Sequence, residues 1–85
     1  YFIAPNRAEI LDSYGYVLHR LGRNTEALPA LQKAWKITPT AVTAGHLAQV
    51  YWQLGDKAQA KDYLQKGLKL DENDLELLQF KELLP

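Results

Sequence analysis

Ten basic and ten acidic side chains cancel across the 85 residues, and no run of like charge breaks that balance. The electrostatic footprint of a nucleic-acid or anionic-membrane binder is missing, so neither is expected as a partner. With 47% apolar and 24% charged residues the chain has the composition of one small globular domain, too short for a two-domain enzyme, and no apolar run approaches the length needed for membrane insertion.

Taken in chain order, Tyr1-Phe2-Ile3-Ala4-Pro5 reads as the last turn of an earlier helix followed by a stop, because proline disfavours helix at the residue before it. No signal peptide is recognisable, and a start at Tyr1-Phe2-Ile3 without Met reads as a segment cut from something longer. Asn6, with Glu9 three residues on, approximates a capping box for a helix from about Arg7 to Leu21, which Gly22 ends. A second helix is predicted from near Thr25, with Ala27, Leu31, Ala34 and Trp35 on one side and Pro29 at the end of its first turn, where at most one hydrogen bond is lost. Thr38-Pro39-Thr40 closes this unit, and Thr40 is the predicted cap of a third helix from about Ala41 to Leu54. Asp56, with Gln59, caps a fourth helix ending near Leu70. Asn73 with Glu76 repeats the arrangement of Asn6 with Glu9 and predicts a last helix from about Asp74 to Leu83.

Laid over itself with a shift of 33, the sequence repeats. Leu31-Gln32-Lys33-Ala34 falls on Leu64-Gln65-Lys66-Gly67, Leu21-Gly22 on Leu54-Gly55, Ala27 on Ala60, Gly15 on Ala48 and Leu18 on Tyr51. A period near 34 with small residues in both helices is the signature of helical hairpins that bury their faces against one another. Ala27 and Ala60 are the expected points of closest approach within each hairpin.

The pattern Leu11, Tyr14-Gly15, Leu18, Gly22, Ala27, Leu31, Ala34, Pro39, with its copy Ala44, Leu47-Ala48, Tyr51, Gly55, Ala60, Leu64, Gly67, resembles the tetratricopeptide repeat over about residues 5 to 84. The resemblance implies an all-α fold, a right-handed α-solenoid fragment of two helix-turn-helix hairpins and a C-terminal capping helix. The implied division is 1–5 for the end of a preceding repeat or linker, 6–39 and 40–72 for two repeats, and 73–85 for the capping helix. Departures are local: the consensus aromatic is Leu11 and Ala44, the closing Pro is Glu72 in the second copy, and the turn at Thr40 is one residue short. The wording also resembles the C-terminal repeats of large bacterial tetratricopeptide proteins, which implies a cytoplasmic or cell-envelope location according to what precedes the chain.

The sequence carries no motif of catalysis or metal binding. His19 and His46 lie in different helices without HExxH, CxxC, Walker or GxGxxG spacing, and read as surface or packing residues. Asp12, Ser13 and His19 supply the residue types of a hydrolytic triad, but Asp12 and Ser13 point about 100° apart on one helix. The acidic residues Asp56, Asp62, Asp71, Glu72 and Asp74 lack calcium-loop spacing and read as caps and solvated charges. No cofactor, metal or catalytic group is therefore expected.

In the family this chain resembles, the first helix of each hairpin lines a groove that meets a peptide or protein partner. The resemblance places Glu9, Asp12, Tyr16, His19 and Arg20, together with Val42, Gly45, Gln49, Trp52 and Gln53, on that face. Tyr16 and Trp52 are the expected anchors, with plain packing on a neighbouring helix as the alternative. The Lys, Arg and Asn set that grips acidic chaperone tails is replaced by Asp12, Tyr16, His46, Glu76 and Phe80. The expected function is a non-catalytic protein–protein interaction module; the alternative is a structural terminal segment that caps a longer solenoid or self-associates. Exposed apolar ends, with Leu77, Phe80 and Leu84 at one of them, would drive that self-association.

Overall fold

The computed structural model describes residues 7–84, so the readings of Tyr1 to Pro5 and of the Asn6 cap lie outside the described residues. Five helices follow in order: α1 (Arg7–Arg20), α2 (Asn24–Ile37), α3 (Ala41–Gln53), α4 (Lys57–Leu70) and α5 (Leu75–Leu83). Each boundary has a local cause. At the end of α1 the Gly22 amide donates to the His19 carbonyl and the Arg23 amide to that of Leu18; at the end of α3 Gly55 and Asp56 donate in the same way to Trp52 and Tyr51. These paired bonds need a left-handed residue, and the two glycines adopt φ of 79° and 88°. Thr40 Oγ1 accepts from the Thr43 amide and Asp56 Oδ1 from the Gln59 amide, satisfying donors the helices leave open.

Two starts differ from the sequence reading. Asp74, not Asn73, caps α5, accepting from the Leu77 amide at 3.1 Å, while the Asn73 amide is turned back to the Asp71 carboxylate. Helix α2 begins at Asn24 after an Arg23 that makes no side-chain cap. The Asn24 side chain is instead held by His19, whose Nδ1 lies 2.6 Å from its carbonyl oxygen. Pro29 sits inside a helix that continues without a break to Ile37.

Helix α1 packs along α2 and α3 along α4; α2 packs on α3, and α5 lies across α3 and α4. Small residues set how closely these helices approach. A methyl group on Gly15 would sit 2.6 Å from Leu31 Cγ and 3.3 Å from the Ala27 carbonyl; one on Gly67 would sit 2.8 Å from Leu77 Cδ1 and 3.0 Å from Ala44 Cβ. Ala27, Ala44, Ala48 and Ala60 are completely buried. One core joins Leu18, Ala27, Leu31, Leu47 and Val50 across α1, α2 and α3; a second joins Ala48, Leu64 and Leu77 beneath α5.

On the far side of α3, aromatic rings tie three helices together. Tyr63 stacks on Tyr51 at 5.6 Å and meets Trp35 edge-on at 5.5 Å, and Gln32 Nε2 donates to the Tyr51 hydroxyl at 2.7 Å. Burial in this cluster, reinforced by Tyr51, holds the Tyr63 phenol above its ordinary pKa.

The expectation of an apolar C-terminal end holds through other residues than those named, since Leu75 and Leu83 of α5 are 73% and 80% exposed. Leu77, by contrast, is 1% exposed, and Phe80 and Leu84 pack against the second core, because that side of α5 faces α3 and α4. Exposed apolar surface also forms a stripe along α1 and the residue just beyond it, where Ile10, Tyr14, Val17 and Leu21 recur at helical spacing and are each more than half exposed. A shift of 33 carries Ile10, Tyr14 and Val17 onto Thr43, Leu47 and Val50, which are all buried, Leu47 and Val50 against Ala27 and Leu31 of α2.

Close approach at Gly15 predicts that Gly15→Ala lowers stability despite the roughly 1 kcal/mol that Ala gains over Gly in a helix, because relieving the overlap costs about 1–3 kcal/mol. Gly45→Ala, whose methyl would meet only the Leu77 side chain, no nearer than 3.3 Å, should cost less. Urea midpoints compare them; a Gly15→Ala midpoint above wild type would contradict the packing described. Ala60→Leu should likewise lose about 1–3 kcal/mol by overpacking.

Candidate functional site

Helices α1, α3 and α5 share one face of the molecule, and the side chains between them form a cleft of about 470 Å³. Tyr16, His19 and Arg20 enter it from α1, and Gln49, Trp52 and Gln53 from α3. The opposite wall is α5, with Glu76, Gln79, Phe80, Leu83 and the following Leu84. Six of the residues singled out in the sequence thus meet in one cavity. Glu9, Asp12 and Val42 line a second, smaller hollow of about 260 Å³ with Thr38, Thr40 and Thr43. Gly45 lines neither: it is buried, and its Cα faces Leu77.

One residue of the smaller hollow, Asp12, makes a buried polar contact between helices. Asp12 on α1 accepts a hydrogen bond from His46 Nδ1 on α3 at 2.9 Å, with both side chains largely removed from water. Tyr16 stacks on the same imidazole, ring centres 4.3 Å apart. Asp12 is therefore already engaged in joining the two hairpins, and His46 is a packing residue with a specific partner. Nothing in the sequence pairs these residues except their positions one period apart.

The aromatic floor is assembled by the same packing. Trp52 meets Phe80 edge-to-face at 6.3 Å, and Tyr16 stands on His46, so both expected anchors pack on a neighbouring helix and still line the cleft. Lys57 Nζ lies 5.4 Å from the centre of the Trp52 ring, in contact with the indole although it does not itself line the cleft. The contribution of α5 was visible in the sequence only through Glu76 and Phe80, which the family resemblance set at groove positions.

Polar groups in the cleft fall into two sets. His19 is bonded to Asn24. Arg20, Glu76, Gln49, Gln53 and Gln79 make no side-chain hydrogen bond or ion pair among the described residues, whereas other charges pair locally, as Arg23 does with Glu26 at 2.6 Å and Lys66 with Asp62 at 2.9 Å. The cleft therefore offers three amides, one cation and one anion around an aromatic floor. Among the described residues there is no grouping of three His, Cys, Asp or Glu side chains able to hold a metal ion, and no helix long and apolar enough to cross a membrane.

A family model for the tetratricopeptide repeat matches residues 6–73. The chain belongs to the tetratricopeptide repeat family. Human tetratricopeptide repeat protein 13 (Homo sapiens) is 32% identical over 71 residues, which is 84% of this chain and 8% of that protein, so the chain spans a small part of this relative. No solved structure matches. Tetratricopeptide repeats generally mediate protein–protein contacts and act as non-catalytic scaffolds.

The Asp12–His46 contact gives a test of how the hairpins of this repeat fragment are held. Asp12→Ala leaves a buried imidazole donor without its acceptor and should cost about 1–3 kcal/mol. Adding His46→Leu should recover part of that loss, giving a coupling above about 0.5 kcal/mol in a double-mutant cycle of denaturation midpoints. Strict additivity would show that the contact contributes nothing to the arrangement.

Proposed function

We propose that this fragment is a non-catalytic binding module whose cleft between α1, α3 and α5 receives a peptide or protein segment. The observation that carries the reading is the convergence of Tyr16, Trp52 and Phe80 with amides and charges that have no partner among the described residues, all in one open cavity. Rigid aromatics flanked by polar groups suit a site in which a few side chains dominate binding energy. Glu9, Asp12 and Val42, in the neighbouring hollow, extend the surface along the α1 and α3 axes.

A peptide recovered by display selection, or a partner identified by pull-down, supplies the probe. Trp52→Ala should weaken its binding by about 2 kcal/mol, some thirtyfold, and Tyr16→Ala by a comparable amount. Lys33→Ala, on an exposed position outside the cleft, should leave affinity within about twofold. Circular dichroism checks that each variant is folded. Aromatic variants that bind like wild type would move the site elsewhere.

A second reading is favoured by the α1 stripe. Because Leu47 and Val50, two of the equivalent positions on α3, are buried against α2, we propose that Ile10, Tyr14 and Val17 receive another helix of the α2 type, from a further hairpin or a second copy of the chain. Free in solution, the fragment should then self-associate with rising concentration, and Val17→Glu should shift it to monomer in sedimentation equilibrium. A wild-type monomer across a wide concentration range would contradict self-association.

A further inference from the structure

Two opposite charges share the cleft without neutralising each other. Arg20 stands on the α1 wall and Glu76 on the α5 wall, and neither forms an ion pair among the described residues. The aromatic pair Trp52 and Phe80 lies with them in the cavity, and the amides of Gln49, Gln53 and Gln79 are unbonded among the described residues. Each of these groups selects something different. An unpaired guanidinium presents a planar fork of donors that suits a carboxylate, and an unpaired carboxylate suits a cation. A glutamine amide carries both donor and acceptor, the complement of a peptide main-chain unit. Main-chain groups are free to meet such amides in an extended segment, whereas a helix interior has already used them.

We propose that the cleft recognises an extended peptide with an acidic side chain, a large apolar side chain and a basic side chain in that spatial order, the acid toward Arg20 on α1 and the base toward Glu76 on α5. This rests on the reading of the cleft as a peptide site and adds to it the chemistry and direction of the occupant. The apolar side chain enters against Trp52 and Phe80, while Gln49, Gln53 and Gln79 read the main chain. The flanking charges contribute direction more than affinity: a reversed segment would set acid against Glu76 and base against Arg20, and like-charge contacts of that kind discriminate strongly between orientations.

A phage library of random linear peptides is selected against wild type, Arg20→Glu, Glu76→Lys and Trp52→Ala. Wild type should enrich sequences with one acidic and one basic position flanking an aromatic or long aliphatic residue. Arg20→Glu should invert the preference at the acidic position alone, and Glu76→Lys at the basic position alone. A synthetic consensus peptide should bind each charge variant about tenfold more weakly and be rescued by the matching charge reversal in the peptide. Methylating its main-chain nitrogens one at a time should weaken it wherever a glutamine reads the backbone. Peptides enriched without charge preference, with preferences indifferent to both charge variants, or with helical periodicity, overturn the proposal; if Trp52→Ala still abolishes their binding, the peptide-site reading survives that loss. Enrichment of no peptide by wild type overturns both.

Discussion

How near one helix can come to the next is the constraint on which the structure depends. Gly15 against Leu31 and Ala27, and Gly67 against Ala44 and Leu77, leave no room for a methyl group, so the helix spacing is fixed by residues that have almost no side chain. Close backbones let Leu31, Leu47, Val50 and Leu77 become fully buried in a chain of this size, each such side chain contributing about 1.5–3 kcal/mol. Repetition of that packing one period apart sets α1 beside α3, and α5 takes the next place in the row.

The cleft is a consequence of that row. Trp52 is presented because α3 lies between its two neighbours, and it is steadied by Phe80 from one of them; Tyr16 is steadied by His46, itself held by Asp12. Side chains already fixed by packing lose little freedom when a ligand arrives, which favours binding without a large ordering cost. The opposite face of the row is closed by Trp35, Tyr51 and Tyr63, so large aromatics hold the hairpins together on one side and line an open cavity on the other.

Local chemistry made much of this legible in the sequence. Gly22 and Gly55 mark helix ends because the chain there must become left-handed, and Thr40 and Asp56 mark starts because their side chains accept the next free amide. The repeat, and hence the placing of Tyr16 and Trp52 on corresponding helices, was readable from the shift of 33. What escaped depended on contacts between distant residues. Asp12 with His46 and the Trp35–Tyr63–Tyr51 cluster have no local signature, and the burial of Leu77 follows from how α5 is laid across α3 and α4. The choice of Asp74 over Asn73 as cap turned on one residue of register, since both side chains can accept the same kind of hydrogen bond.

The most direct measurement of the central claim, that the open cleft between α1, α3 and α5 is where a partner binds, is a titration of the ¹⁵N-labelled chain with a selected peptide, followed by nuclear magnetic resonance. The largest shifts should fall on the indole N–H of Trp52 and the side-chain amides of Gln49, Gln53 and Gln79, with α2 and α4 little changed. Shifts confined to Ile10, Tyr14, Val17 and Leu21 on the exposed stripe of α1, with the Trp52 indole unmoved, would contradict it.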